Sequence, residues 1–544
     1  MPRPFSLWAS GRRFVSTGGA PNRQGREAFS TSDPERPVIT RRGATEWNNV
    51  HLTHHARLDD LISVDNSPDS GGPARRGFEV LRETAREVES IIADARRWGR
   101  PMRGLGSGWA LTDIAVTEGW LLDTKLLNGC FDVSSRYFCR SYPEELRPLL
   151  VITQCGTAMG ELNVFLEVAR HPGARRALKT AGIGAGQTVA GAVSGNTHGA
   201  AIKFGSTPEF VAGIQLVVGT GRSLWIERQS RPVLNRDFAD MLGARVVRDD
   251  DVFNSALVSF GAFGVITALA IETDPIYHLK FDPVREVSQF ALKTRLGKPI
   301  DDDHFEFIFN PYDSAEAMVA AARRVPWKAD HPAPAPLWII RSKSGFAPGD
   351  RTAVGFLKTP FLSARAKAKL QFKLYRENAI LDDVRGSPGQ LFTATITYFE
   401  GYTESAYGVS LDDAAKTLDV SSEVVRELKL PAISQVRLVK PTQATLGFTR
   451  HEPATAVFEF GLVNNQKFAE FEKRLRASLR KAGVEYTFHW SKNSCLDEPT
   501  VCEMYGKKRI DTWLKAREWV FEGDKELMRL FDNDHVRRAG LGVR

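Results

Sequence analysis

Apolar positions Val88, Ile91, Ile92 and Ala95 recur at helical spacing and predict an amphipathic helix from Thr84 to Arg97, with Thr84 and Glu87 in the form of a capping box. Gly99 ends it, and Pro101 to Arg103 leads as an extended piece into the glycine loop Gly104-Leu105-Gly106-Ser107-Gly108-Trp109. Trp120–Asp123 and Leu149–Gln154 read as strands, and a helix from about Ala158 to Arg170 would bury Leu162, Phe165 and Leu166. Two β-rich runs between Phe210 and Glu227, around Gly219-Thr220-Gly221, read as a hairpin. From Asp303 to Pro311 the alternation of Phe305, Phe307 and Phe309 predicts a half-buried strand of a new sheet, which sets a domain boundary near Tyr277 to Phe281. The Pro/Ala-rich piece Pro326 to Pro336 reads as a connection, and the basic stretch Ser363 to Arg376 as a solvated helix. The pattern is α+β.

Composition narrows the class. At 544 residues the chain exceeds one compact core and predicts two or three packed domains. A net charge of +8 is spread among 65 acidic residues instead of forming a basic block, which argues against nucleic acid. The five cysteines show no CxxC spacing, so neither a disulfide framework nor a metal site is expected. The longest apolar run, Ala256 to Ile271, is shorter than the roughly 20 residues of a bilayer span and reads as core. The first 26 residues carry five Arg and no acid, the charge pattern of a transit peptide. Their composition instead predicts a disordered basic tail over residues 1–45 of a cytoplasmic protein, with organellar targeting as the alternative.

Two glycine tracts carry the candidate chemistry. Gly104 to Ala110 can turn amide N–H groups toward a pyrophosphate, because glycine permits close approach and positive φ. The dinucleotide fingerprint of a doubly wound fold is disfavoured, since that motif follows a first strand and opens a helix, whereas here a helix precedes the loop. Between Gly182 and Gly199 lie six glycines with few long side chains, a density that implies backbone lying close to something flat or charged.

Four segments in order, Gly104 to Ala110, Ala181 to Gly199, Val258 to Thr267 and His489 to Lys492, resemble the aldonolactone and alditol oxidases of the vanillyl-alcohol-oxidase superfamily. The resemblance runs from about Phe78 to Leu541 and returns at the end in Trp513 to Arg517, Leu530 to Asn533 and Gly540-Leu541. It implies a two-subdomain PCMH-type FAD-binding domain over residues 46–280, an α+β substrate (cap) domain over 281–488, and a C-terminal segment 489–544 returning to the first. It also implies that Gly104, Leu105, Gly106, Ser107, Gly108, Trp109 and Ala110 hold the FAD pyrophosphate. Thr188, Gly191, Gly195, Asn196, Thr197 and His198 would contact the flavin, with Val265 and Ile266 adding backbone contacts. Gly182 falls at or beside the position that gates oxygen in the family. Many relatives place a flavin-linked histidine where Ser107 stands, so this resemblance implies FAD held non-covalently, with no histidyl bond.

For catalysis the family uses a Glu-x-Arg pair and the Lys of a His-Trp-Gly-Lys motif, read here as Gln435-Val436-Arg437 and His489-Trp490-Ser491-Lys492. Arg437 and Lys492 would stabilise the negative charge that develops as hydride leaves carbon. Gln435 cannot accept a proton at neutral pH, which sends the search for a base elsewhere; Glu459 is a candidate, or else a surface glutamate on an alternating strand. His489 is either a site residue or a structural one, and Arg437 is either catalytic or a salt-bridge partner. The implied activity is oxidation of a CH–OH group by hydride transfer to flavin N5, with oxygen or another electron acceptor reoxidising it. The alternatives are a flavin dehydrogenase or tailoring oxidase for a large apolar substrate such as a sterol, and a non-catalytic flavin-binding partner or sensor. The sequence leaves the oligomeric state open.

Overall fold

The computed structural model describes residues 37–66, 77–168, 175–180, 182, 184–333, 361–377, 381–392, 403–462, 467–492 and 496–544. Most of the expected tail and the residues 334–336 of the Pro/Ala-rich piece lie outside this set. Inside it, Val38–Arg41 already forms a strand, so the sheet begins before the expected tail limit at residue 45.

Among the described residues a four-stranded sheet runs in the order Val38–Arg41, Asp60–Asp65, Trp120–Asp123, Met102–Leu105, its last three strands parallel. Parallel neighbours need a crossover, and the helix Glu79–Arg97 supplies it. That helix buries Val80, Leu81, Thr84, Ala85, Val88, Ile91, Ile92 and Ala95. It therefore starts at Glu79 and not at the expected capping box. Thr84 lies inside it, its Oγ1 donating to the Val80 carbonyl at 2.7 Å. The apolar stripe continues N-terminally through Val80 and Leu81, and burial of a continuous stripe outweighs a local cap worth about 1 kcal/mol. Gly99 closes the helix end with φ +58°, as the pattern implies.

A second sheet has the order Arg245–Arg248, Ser223–Glu227, Val211–Val217, Val265–Glu272, Leu150–Gln154, Cys130–Asp132. It contains the predicted hairpin, in which Val211–Val217 pairs antiparallel with Ser223–Glu227. The third and largest sheet begins with Tyr277–Phe281, and its inner strands follow the order Ala317–Pro326, His304–Phe309, Ser434–Val439, Thr455–Leu462, Thr403–Ser410. His304–Phe309 is buried on both faces, not half-buried as the alternation implied. One face carries Phe305, Phe307 and Phe309 into the main core with Val436, Phe458 and Phe460. The opposite face carries His304, Glu306 and Ile308: Phe281 and Phe392 cover His304, Met318, Phe372 and Ile433 cover Ile308, and polar and charged groups surround Glu306. No helix among the described residues is long and apolar enough to cross a membrane.

The C-terminal segment acts as a staple. Arg517 is fully buried, and its guanidinium donates to the carbonyls of Ala262 at 2.8 Å, Leu541 at 3.0 Å and Met528 at 2.8 Å, and to the Asp532 carboxylate at 2.7 Å. Arg103, at the base of the first glycine loop, donates to the carbonyls of Phe531 and Ile114, each at 2.7 Å, and to that of Phe260. Asn533 Nδ2 faces the carbonyls of Asp113, Ile114 and Val116 at 3.0–3.2 Å. Residues 513–517, 530–533 and 540–541 thus have a packing explanation: they fix the loop that follows Gly104 to Ala110.

Replacing Arg517 with Met leaves the Asp532 carboxylate buried without its cation, and losing one partner of a buried pair costs about 3–5 kcal/mol. The expected result is a clearly lowered urea midpoint, read by near-UV circular dichroism; a midpoint equal to wild type contradicts the staple.

Candidate active site

The strand Met102–Leu105 delivers the first glycine tract to the edge of a cleft, and the helix Val189–Ser194 delivers the second from the other side. The two tracts touch. A Cβ on Gly106 would lie 2.1 Å from Thr188 Oγ1, and Ser107 Oγ donates to the Gly186 carbonyl at 2.5 Å. The Trp109 indole lies so close to Gly184 and Gly186 that a Cβ on either would come within 2.8 and 2.5 Å of the ring. At those two positions the flat object that the glycine density implied is this indole. Thr188 caps the helix, its Oγ1 accepting from the Gly191 amide at 3.3 Å.

A third segment closes the wall. The Leu111 amide donates to the Ser491 carbonyl at 2.8 Å, and Thr112 Oγ1 to the Trp490 carbonyl at 3.0 Å. A Cβ on Gly195 would meet Ser491 Oγ at 2.7 Å. Trp490 is fully buried, donates its indole N–H to the Leu446 carbonyl at 2.8 Å and stacks on Tyr505. The turn 489–492 is therefore held rigidly against both glycine tracts, which sets the position of Lys492.

These three segments line one open cavity. Gly104 to Ala110, Thr188, Gly191, Gly195, Thr197, Val265, Ile266 and Lys492 all line it. Gly182, Asn196, His198, Gln435, Arg437 and Glu459 do not. Asn196, at φ +56°, is a buried pin: its Oδ1 accepts from the Phe448 amide at 2.8 Å and its Nδ2 donates to Ser206 Oγ at 2.9 Å. A Cβ on Gly182 would press on the His198 carbonyl at 3.1 Å, so this glycine is fitted to backbone. His198 lies behind the wall, its Nδ1 3.0 Å from the Gly199 carbonyl, and burial lowers it to about 4, so its ring is neutral at pH 7.

A dinucleotide fits the lining. Among the described residues the amides of Gly106, Ser107, Gly108 and Ala110 donate to no acceptor in the chain, and a Cβ on Gly104 would meet open space. Unspent N–H groups on a glycine loop are a cradle for phosphate oxygens. Leu111, Ile114, Val265 and Ile266 supply apolar wall for a ring system. Two imidazoles line the cavity: His489, for which a site role was one of the two alternatives open in the sequence, and whose Nδ1 accepts from the Ser491 amide at 3.0 Å, and His51, which no motif marked, whose Nε2 donates to the Trp109 carbonyl at 2.7 Å. Burial lowers both, His51 to about 4.

Beyond the cavity wall stands the polar face of the third sheet. Its register pairs Glu306 with Arg437 and Gln435 with Glu459, and period-2 alternation puts Glu404 on the same face. Arg437 Nη1 lies 2.8 Å from Glu459 and its Nε 3.5 Å from Glu306. Lys492 reaches both Glu459 and Glu404, the latter at 3.2 Å. Gln435 Nε2 donates to Glu306 at 3.2 Å, and His304 Nε2 lies 3.6 Å from the same carboxylate. The two expected cations, Arg437 and Lys492, thus stand in a mixed cluster with three carboxylates among the described residues. Glu459 is 3% exposed and so is no surface glutamate.

Position in this network sets each group's proton affinity. Burial pushes the Glu459 carboxyl up, but Arg437 and Lys492 outweigh it and hold it far below the usual carboxylate range. Burial pushes Glu404 up and the Glu459 anion adds to that, with only Lys492 and a weaker Arg437 effect opposing, so Glu404 stays raised. Arg437 and Lys492 are both raised: burial works against their charge, and the carboxylates more than offset it. Glu404 and Glu306 were missed in the sequence. Glu306 had a visible signal, the polar positions between the phenylalanines of its strand; Glu404 had none.

A family model described as FAD binding domain matches residues 78–227, which span both the helix before the first loop and the second tract. An L-gulono-1,4-lactone dehydrogenase of Mycobacterium tuberculosis is 25% identical over 472 residues, covering 85% of this chain and 95% of that one. A D-arabinono-1,4-lactone oxidase of Eremothecium gossypii is 25% identical over 193 residues, 36% of this chain and 31% of its own. The crystal structure of cholesterol oxidase from B. sterolicum superposes with a TM-score of 0.65 at 13% identity, covering 92% of this chain and 97% of that chain. A solvent-stable cholesterol oxidase gives 0.64 at 15% identity, covering 92% and 98%. The last two bear on the fold alone. The family match, the relatives and the glycine-lined cavity together make the chain an FAD-dependent oxidoreductase, and its fold is the PCMH-type FAD-binding fold with a substrate domain.

Proposed function

We propose that the chain oxidises the CH–OH group of a polar, hydroxylated substrate of the sugar-lactone or polyol class, with FAD held non-covalently. The observation that carries this reading is the placement of a buried, charged sheet face at a cavity lined by two glycine tracts. The third sheet and its return turn bring Glu404, His489, Ser491 and Lys492 to the cavity, all of them polar, which favours a hydrogen-bonding substrate over a large apolar one. The lactone-linked names of the relatives point the same way.

In this reading the amides of residues 106–108 and 110 hold the pyrophosphate, Val265 and Ile266 wall the ring, and Thr188, Gly191, Gly195 and Thr197 complete the second side. Gly182, Asn196 and His198 support that wall from behind. Bound FAD supplies the two-electron acceptor for the hydride. Lys492, tied to two carboxylates yet lining the cavity, keeps its charge and stabilises negative charge on the substrate oxygen; Arg437 fixes Glu459 and Glu306 and so holds the network in register. The division into an FAD-binding part to about residue 280, a substrate part to about 488 and a returning C-terminus follows the change from the second sheet to the third. Oxygen is the proposed final acceptor, with a second electron carrier the alternative that the dehydrogenase relative favours.

Two outcomes check this. Gly106→Ala forces Thr188 away and separates the tracts; FAD binding to the apoprotein should weaken at least about tenfold, or about 1.4 kcal/mol, by fluorescence titration, and unchanged affinity contradicts the site. Acid precipitation of the yellow holoprotein should leave FAD in the supernatant, and anaerobic addition of a panel of aldonolactones and alditols should bleach it, with colour returning in air. A yellow pellet would overturn non-covalent binding and direct attention to His51 and His489; no bleaching by any hydroxylated compound would overturn the oxidation.

A further inference from the structure

We infer that Glu404 is the base that takes the proton of the substrate hydroxyl, while Glu459 serves only as fixed counter-charge. This rests on the oxidation reading above and assigns the role that Gln435 leaves open. Three features of the geometry separate the two carboxylates. Glu404 lines the cavity beside Lys492, whereas Glu459 does not. Its side chain is 19% exposed against 3% for Glu459, so it has both a face toward substrate and a path for returning a proton to solvent. It has one cation in contact, Lys492, while Glu459 is bracketed by Arg437 and Lys492.

Charge balance reinforces the choice. The three carboxylates Glu306, Glu404 and Glu459 share two cations, so one of them is short of a counter-ion and is the one that binds a proton most readily. Glu306 is held by Arg437, Gln435 and His304, and Glu459 by both cations; the deficit falls on Glu404. The groups facing Glu404 are Lys492 from the return turn, Glu459 and Arg437 from the neighbouring strands, and Tyr375 from the helix Ala364–Glu377. Burial and the Glu459 anion raise its proton affinity, which is what a general base working near neutral pH requires.

The step balances. The substrate O–H bond breaks and its proton forms an O–H bond on the Glu404 carboxylate. The electron pair left on oxygen becomes the second bond of the carbonyl as the C–H bond breaks, and the hydride, with its two electrons, would pass to FAD held by the glycine tracts. Lys492 neutralises the oxygen during the transfer. Glu404 then releases the proton to water at the cavity mouth.

The sign of the pH effect follows. Glu404 acts as a base only when ionised, so flavin reduction should rise with pH through a value above the ordinary carboxylate range. Removing the Glu459 anion lowers the proton affinity of Glu404 and should move that rise to lower pH. The test compares FAD-loaded wild type with Glu404→Gln, Glu404→Asp and Glu459→Gln, each checked for a native flavin spectrum. Anaerobic stopped-flow reduction should slow about 10²- to 10⁴-fold in Glu404→Gln with loss of the pH rise, and Glu404→Asp should restore the rise. In substrate-free protein, infrared difference spectra taken across the pH range of the wild-type rise should show a protonated-carboxyl band in wild type that Glu404→Gln lacks. A wild-type rate and profile in Glu404→Gln, or a band unaffected by that substitution, overturns the assignment alone. A flavin that no hydroxylated substrate reduces removes the oxidation reading, and this role with it, whatever the band does.

Discussion

Contact between two glycine tracts is the constraint on which everything else depends. Gly106 admits Thr188, Gly184 and Gly186 admit the Trp109 indole, and Ser107 bonds the Gly186 carbonyl. Any side chain at these positions would drive the tracts apart by ångströms in a region packed to crystal-like density. Because they meet, the amides of the first tract and the lining residues Thr188, Gly191, Gly195 and Thr197 of the second face one space. The C-terminal staple, through Arg103, Arg517 and Asn533, fixes the loop after the first tract and so prevents that space from relaxing.

The second dependence is electrostatic. The third sheet turns one face of phenylalanines into the core and gathers Glu306, Glu404, Arg437 and Glu459 on the other, where Lys492 joins them from the return turn, an arrangement that costs stability relative to apolar packing and is sustained only by mutual pairing. Pairing is uneven, and unevenness is what gives chemistry. Saturated groups such as Glu459 hold position; the under-paired Glu404 and the cavity-facing Lys492 keep the capacity to bind a proton and to meet developing charge. Glu459 sits directly opposite Gln435 in register and supplies counter-charge to Arg437, where the neutral amide supplies none.

How much of this the sequence revealed depends on range. Local patterns located the helix ending at Gly99, the hairpin around Gly219 and Gly221, and both glycine tracts. The helix start was misplaced because Thr84 and Glu87 satisfy a local cap rule while Val80 and Leu81 continue a stripe that tertiary burial extends. The lining residues of the first loop were legible because glycine spacing records a backbone demand. Asn196 and His198, expected to contact the flavin, and Gly182, expected at or beside the oxygen gate, are absent from the cavity lining; for Asn196 and His198 the distinction depends on which way the chain turns after the helix. Glu404 was invisible: one glutamate on one strand gains meaning only when the register sets it beside Lys492, far away in sequence. His51 was hidden for the same reason.

Hydrogen–deuterium exchange of the apoprotein against the FAD-loaded protein tests the convergence most directly. FAD should slow exchange together in residues 106–110, 187–197 and the turn at 489–492. Slowing confined to one of these segments, or absent from all three, would contradict a shared site.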